Sequence, residues 1–173
     1  MEQDIRDAYQ IHANEFEYTG EEWAGIKYIW TPFKSSYDCT EGDGYALLAA
    51  AYMADQITFN GYWMCTHDKR RNRTKSYKDC SDVSAGYAYG PFEKKKKKKE
   101  ETQNNGNNGT NFNSEGGNTA ADGDVDVALA LYVAYKQWGE FMRNEDGDIV
   151  IDACGNPISY KQEMIEVIRG LVA

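Results

Sequence analysis

Cys39-Thr40-Glu41-Gly42-Asp43-Gly44-Tyr45 runs straight into Ala46-Leu47-Leu48-Ala49-Ala50-Ala51-Tyr52-Met53-Ala54. A carboxylate sits among small and polar residues, and a strongly helical apolar run follows at once. Thr40 and Asp43 have the spacing of a capping box, a hydroxyl at the N-cap and a carboxylate at N3. The pattern predicts a helix over about 42–57, with Leu47, Leu48, Ala51, Tyr52 and Met53 burying it on most sides. Glu41 then stands at the helix mouth, where a reactive side chain borrows rigidity from the helix. The plainer alternative is that an acidic residue there only complements the helix dipole.

The flanking sequence also reads as helical. Ile5, Ala8, Tyr9 and Phe16 share a face over residues 3–16, which Gly20 follows as a breaker. Trp23, Ile26, Ile29 and Trp30 suggest a short helix over 21–31, stopped by Pro32. Another spans 59–70 with Tyr62, Trp63 and Met64, and ends in the basic cluster Lys69 to Arg73. After Thr119, Ala128, Leu131, Tyr132, Tyr135, Trp138 and Met142 recur at helical spacing to about 142. Residues 143–157 form a turn-rich acidic connector. Ser159 with Gln162 then caps a last helix, with Met164, Ile165, Ile168 and Leu171 on one side. Six helices and no strand pattern make the expected class all-α. Residues 93–118, with the run Lys94 to Lys99 and an Asn/Gly tract, cannot bury apolar area and are expected to be a disordered surface insertion.

Composition narrows the partner. Net charge is −9 over 173 residues, which argues against a nucleic acid, whose phosphates need a cationic surface. Thirteen Tyr and four Trp suit a core, and also suit stacking on the apolar faces of sugar rings. Tyr87 and Tyr89, in a Ser/Gly/Tyr-rich stretch, are candidates to line a groove. No apolar run approaches the ~18 residues of a membrane span, so no membrane partner is expected. Met1-Glu2-Gln3-Asp4 is acidic and lacks the apolar stretch of a signal peptide, so none is expected within these residues. Cys39, Cys65, Cys80 and Cys154 lack paired spacing. Cys65-x-His67 with Cys80 could supply three zinc ligands, but no knuckle completes them, so no metal is assigned.

A second acidic helix mouth mirrors the first. Asp122, Asp124 and Asp126 open the helix after Thr119, again beside small residues. Their alternation resembles the start of a calcium loop, but Val127 stands where the turn needs Gly and Val133 where it needs Glu. Asp146-Gly147-Asp148 fails in the same way. Two carboxyl groups are what cleavage of a glycosidic bond requires, one to protonate the leaving oxygen and one to stay ionised.

Thr40-Glu41-Gly42-Asp43-Gly44-Tyr45 resembles the Ser-Glu-Gly-Gln-Gly-Tyr-Gly motif of glycoside hydrolase family 8. Ala120-Ala121-Asp122-Gly123-Asp124 resembles that family's Ala-Thr-Asp-Ala-Asp helix, and Phe59-Asn60-Gly61-Tyr62-Trp63 is similar to the Phe-Asp-x-Leu-Trp segment between them. The resemblance covers roughly residues 20–172 outside the insertion. Departures are Thr40 for Ser, Asp43 for Gln, Ala46 for Gly and Ala121 for a hydroxyl residue.

The resemblance implies an (α/α)6 barrel with its groove at the N-terminal ends of the inner helices, inverting chemistry and a β-1,4-linked glycan as partner. Cellulose or β-glucan comes first, then xylan, with chitosan as a further alternative. Glu41 becomes the general acid, and Asp122 the aspartate that grips the sugar at the cleavage point. Asp124, Tyr45, Tyr87 and Tyr89 become substrate-binding candidates. No cofactor is implied, and the full-length protein is expected to be a secreted monomer. Six helices of the barrel's twelve, and no matched base after Asp126, make residues 1–173 the expected N-terminal half of the catalytic domain. The alternatives are a catalytically incomplete fragment that binds glycan weakly and an unrelated helical interaction module.

Overall fold

A computed structural model describes residues 2–30, 40–70, 77–78 and 121–172. The expected insertion at 93–118 lies outside them. The described residues form α1 (Glu2–Ala13), β1 (Glu17–Trp23), β2 (Ile26–Trp30), α2 (Thr40–Tyr52), α3 (Gln56–Arg70), α4 (Ala121–Trp138) and α5 (Tyr160–Val172). α2 packs on α4 and α3, α4 packs on α5, and α3 packs on β2. The fold is thus mainly helical. No described helix is long and apolar enough to cross a membrane.

The helix expected over 21–31 is corrected to a hairpin. β1 and β2 pair antiparallel, with Trp23 opposite Ile26. Ala24 and Gly25 between them have φ of 49° and 80°, the positive pair that a two-residue hairpin turn uses. Ile26 and Tyr28 are buried while Lys27 between them is exposed, a period of two. Gly20, expected to break a helix, sits instead where the register slips between Tyr18 and Glu22. Gly61 lets α3 settle on this hairpin: a Cβ there would meet the Lys27 carbonyl at 2.5 Å.

The α2–α3 connection is tight. Asp55 N–H donates to the Ala50 carbonyl and Ala54 N–H to that of Ala51, a Schellman closure with Ala54 at φ 58°. Asp55 at once caps α3, its Oδ1 accepting from Thr58 N–H at 3.0 Å, while Tyr9 of α1 donates to its other oxygen at 2.9 Å. The expected burial of α2 on most sides is also corrected. Leu47, Ala50 and Ala51 are fully buried, but Tyr45 and Tyr52 are exposed, because no described element packs on their face.

The connector after α4 repeats itself every eight residues. Asn144 Oδ1 accepts from the N–H groups of Asp146 and Asp148, and Asp152 Oδ1 from those of Cys154 and Asn156. Gly147 and Gly155 turn the chain at φ 85° and 83°. Met142, Val150 and Ile158, all buried, then close a ring: Met142 N–H donates to Ile158, Val150 to Met142, and Ile158 to Val150. Asn60 of α3 anchors this module, donating to the Arg143 carbonyl at 2.8 Å and accepting from the Tyr160 hydroxyl at 2.5 Å.

Ser159 caps α5 as expected, accepting from Gln162 N–H at 3.1 Å. The Gln162 side chain does not reach back but donates to Glu166. Of Met164, Ile165, Ile168 and Leu171, expected on one side of the helix, Met164 and Leu171 pack half-buried against the core. Ile168 is exposed, and the buried positions are Tyr160, Glu163, Glu166, Val167 and Gly170. Tyr160 decides the rotation: it is fully buried and packs edge-on against Phe59 at 5.8 Å, so Glu163 one turn later must face inward too.

Candidate active site

Both acidic helix mouths open at one place. Gly44, in the second turn of α2, lies on the first turns of α4: a Cβ there would stand 2.6 Å from Asp126 Cβ and 3.1 Å from the Gly123 carbonyl. No side chain fits that gap, so the glycine of the first motif exists for a helix-on-helix approach. Two N-terminal ends, each with its positive dipole end and unsatisfied N–H groups, are thereby set side by side. Such a place favours acidic side chains and polar ligands that accept hydrogen bonds.

Glu41 is the second residue of α2; its side chain and that of Thr40 lie outside the described residues. Asp122 is the second residue of α4 and is exposed, its Oδ1 accepting from the Gly123 N–H at 3.1 Å. Asp124 lies in the same turn but keeps only 3% of its surface exposed. Tyr45 is 63% exposed beside the α2 mouth. Tyr87 and Tyr89 lie outside the described residues.

A pairing at the site was not expected, that of Asp43, read as the N3 carboxylate of the α2 mouth, with Tyr62. Asp43 is buried at 2% exposure, and the Tyr62 hydroxyl of α3 donates to its Oδ1 at 3.0 Å. Tyr62 is itself buried and meets Phe16 at 5.5 Å between ring centroids. α3 therefore supports the α2 mouth from within. The signal for this pair was the polar tip on an otherwise apolar stretch, Tyr62-Trp63-Met64, since a buried tyrosine hydroxyl needs a partner.

Asp146, Asp148 and Asp152 are not at the mouths. Asp152 is the acceptor that shapes the second repeat of the connector, and Asn144 plays that part for the first. Cys154 beside it is disulfide-bonded, whereas Cys65 is buried and takes part in no disulfide.

No curated protein and no solved structure matches the chain. The model of glycosyl hydrolases family 8 matches it over residues 28–155, which takes in the α2 mouth, the Tyr62 segment and the α4 mouth. With well over half of its length matched, and with both motif helices meeting at their N-termini, the chain belongs to glycosyl hydrolases family 8.

Proposed function

We propose that this chain carries the acid side of an inverting endo-β-1,4-glycanase site, acting on cellulose or β-glucan first and xylan next. The juxtaposed mouths of α2 and α4 support this reading most directly. Glu41 donates a proton to the glycosidic oxygen. Asp122, exposed at the neighbouring mouth, hydrogen-bonds the sugar at the cleavage point and helps distort it. Tyr45 offers an exposed ring for stacking on a neighbouring sugar, with Tyr87 and Tyr89 as further groove residues. Asp124 lends its carboxylate to the floor of the same subsite.

The general base is an aspartate supplied beyond this chain, whose 173 residues form the N-terminal half of an (α/α)6 barrel interrupted by the 93–118 insertion. The α4 stripe of Val125, Leu129 and Tyr132, exposed at positions i, i+4 and i+7 below Asp122, supports that reading. An apolar helix face of this kind is suited to further helices. The full protein acts outside the cell as a monomer, a placement supported by the disulfide at Cys154, since such bonds persist in oxidising compartments.

A second reading, a fragment that binds glycan without cleaving it, is favoured by the turn-forming role of Asp152. Reducing-end release from β-glucan and xylan separates the two. The 173-residue chain alone should show none, and a version extended by the remaining helices should be active and should lose activity in Glu41→Gln. Retained activity in that variant would remove Glu41 from the acid role. Hydrolysis by the 173-residue chain would remove the need for a base from elsewhere.

A further inference from the structure

The chain holds four cysteines, Cys39, Cys65, Cys80 and Cys154. Cys154 is disulfide-bonded and Cys65 takes part in no disulfide, so the partner of Cys154 is Cys39 or Cys80. The contacts around Cys154 decide between them.

Cys154 stands where the connector meets the chain that leaves α3. The Ala153 N–H donates to the Tyr77 carbonyl at 2.7 Å, and Asp152 Oδ1 accepts the Cys154 N–H at 2.8 Å. Tyr77 is itself fixed on α3. Its ring lies flat on His67 with centroids 3.7 Å apart, its hydroxyl accepts from Trp63 Nε1 at 3.0 Å, and its N–H donates to Asp68 Oδ1 at 3.0 Å. Asp68 Oδ2 accepts the Tyr28 hydroxyl of β2 at 2.6 Å. Burial works against ionisation of Asp68, but the hydrogen bonds from His67 and Tyr28 and the Tyr77 N–H together hold its carboxyl below the usual carboxylate range. An anion therefore anchors the Tyr77 backbone.

Cys80 follows Tyr77 by three residues, a span of at most about 11 Å, and Tyr77 is already hydrogen-bonded to the neighbour of Cys154. The roughly 4.4–6.8 Å between Cα atoms that a disulfide requires lies within that reach. Cys39 starts from the other side of α3. It adjoins Thr40, the first residue of α2, so its Cα lies about 3.8 Å from that of Thr40. The α2 mouth meets α3 through Tyr62, which donates to Asp43, whereas Tyr77 covers His67. Five residues along a helix turn it by about 140°, so the two contacts lie on nearly opposite sides of a helix about 10 Å across.

We propose that Cys154 is bonded to Cys80, a cross-link that fastens the chain leaving α3 to the connector that enters α5. It closes α4, with Asp122 at its mouth, into a covalent loop over residues 80–154. The bond forms by exchange with a small disulfide oxidant such as glutathione disulfide. The two cysteine thiols pass two electrons and two protons to it, one S–S bond forms in the protein, and the oxidant's S–S bond breaks to give two thiols. The cross-link holds whether or not the chain cleaves a glycan.

A tryptic map without reductant tests the pairing on the 173-residue chain, oxidised in a glutathione buffer and then denatured with N-ethylmaleimide. Cleavage after lysine and arginine puts Cys80 in peptide 79–94, Cys154 in 144–161, and Cys39 with Cys65 in 35–69. The expected cross-linked species joins 79–94 to 144–161, with maleimide on both cysteines of 35–69. A species joining 35–69 to 144–161 would overturn the proposal, as would a 144–161 peptide joined to nothing. Cys39→Ser should keep the cross-link, and its loss there would count equally against Cys80. Reduction should lower the melting temperature of the wild type by about 5–10 °C, and Cys80→Ser should melt like the reduced wild type with no further response to reductant. A melting temperature that ignores reduction would overturn the fastening role.

Discussion

Gly44 of α2 and Asp126 of α4 approach so closely that a methyl group on Gly44 would lie 2.6 Å from Asp126 Cβ. That contact sets how the two helix mouths sit together. α2 and α4 can converge at their N-termini only if one of them carries no side chain at the crossing.

Gly44→Ala should therefore lower stability, even though alanine is the better helix former by about 1 kcal/mol. Overpacking at a backbone-level contact typically costs 1–3 kcal/mol. The net loss expected in urea unfolding is about 1 kcal/mol. Because the shift moves one mouth against the other, glycan affinity should fall as well. A variant as stable as the wild type would mean that α2 and α4 slide apart without cost.

Ala54 offers the opposite change. It closes the α2 Schellman turn at φ 58°, a conformation that costs a non-glycine residue roughly 1–2 kcal/mol. Ala54→Gly relieves that strain while widening the unfolded ensemble, which takes back part of the gain. The expected result is about 0.5–1 kcal/mol of added stability, read as a higher urea midpoint at unchanged slope. A lower midpoint would show that the alanine methyl contributes packing that outweighs the strain.

Helices with a local start signal were legible in the sequence, and elements decided by distant contacts were not. Thr40-Glu41-Gly42-Asp43 and Ser159 mark the starts of α2 and α5 within a residue or so, because capping is a property of adjacent residues. The hairpin was hidden because Trp23, Ile26, Ile29 and Trp30 satisfy a helical spacing by accident. The true signals were the Ile26-Lys27-Tyr28 alternation and the Ala24-Gly25 turn. The inward face of α5 could be read only in part from its own apolar residues, of which Met164, Val167 and Leu171 meet the core. Tyr160 sets the rotation through Phe59, about a hundred residues away in the chain, and brings Glu163 inside against the hydropathy pattern. At the site, the two motif helices were legible but their meeting was not, since nothing adjacent to Gly44 marks it as the place where α4 packs.

Asp68 gives a pH dependence of known sign. Its carboxyl is held below the ordinary value of about 3.9, so its stabilising contribution is present above that value and is lost as pH falls through the lowered one. Asp68→Asn leaves Tyr28 and His67 without their anionic acceptor. Breaking a buried network of this kind costs about 3 kcal/mol. Urea unfolding should show that deficit near neutral pH, and the gap to the wild type should narrow in strong acid. A gap that stays constant from pH 7 down to about pH 2 would mean that the aspartate acts through packing and not through its charge.

Asp122 and Asp124, two positions of the same site within one helical turn, should differ in how much the fold depends on each. Asp122 is exposed, so Asp122→Ala removes mainly a favourable charge from the helix N-terminus, worth under about 1 kcal/mol. If Asp122 grips a sugar, the same change should weaken binding of a β-1,4-linked oligosaccharide about tenfold, or about 1.4 kcal/mol. Asp124 is buried, and Asp124→Ala should instead cost about 2 kcal/mol of folding stability. Oligosaccharide titration by NMR, alongside urea unfolding of both variants, reads the two quantities independently. Unchanged binding in Asp122→Ala, on a chain that does bind the oligosaccharide, would move the sugar contact to another residue of the mouth. A large stability loss in that variant would mean that Asp122 serves the fold before it serves the ligand.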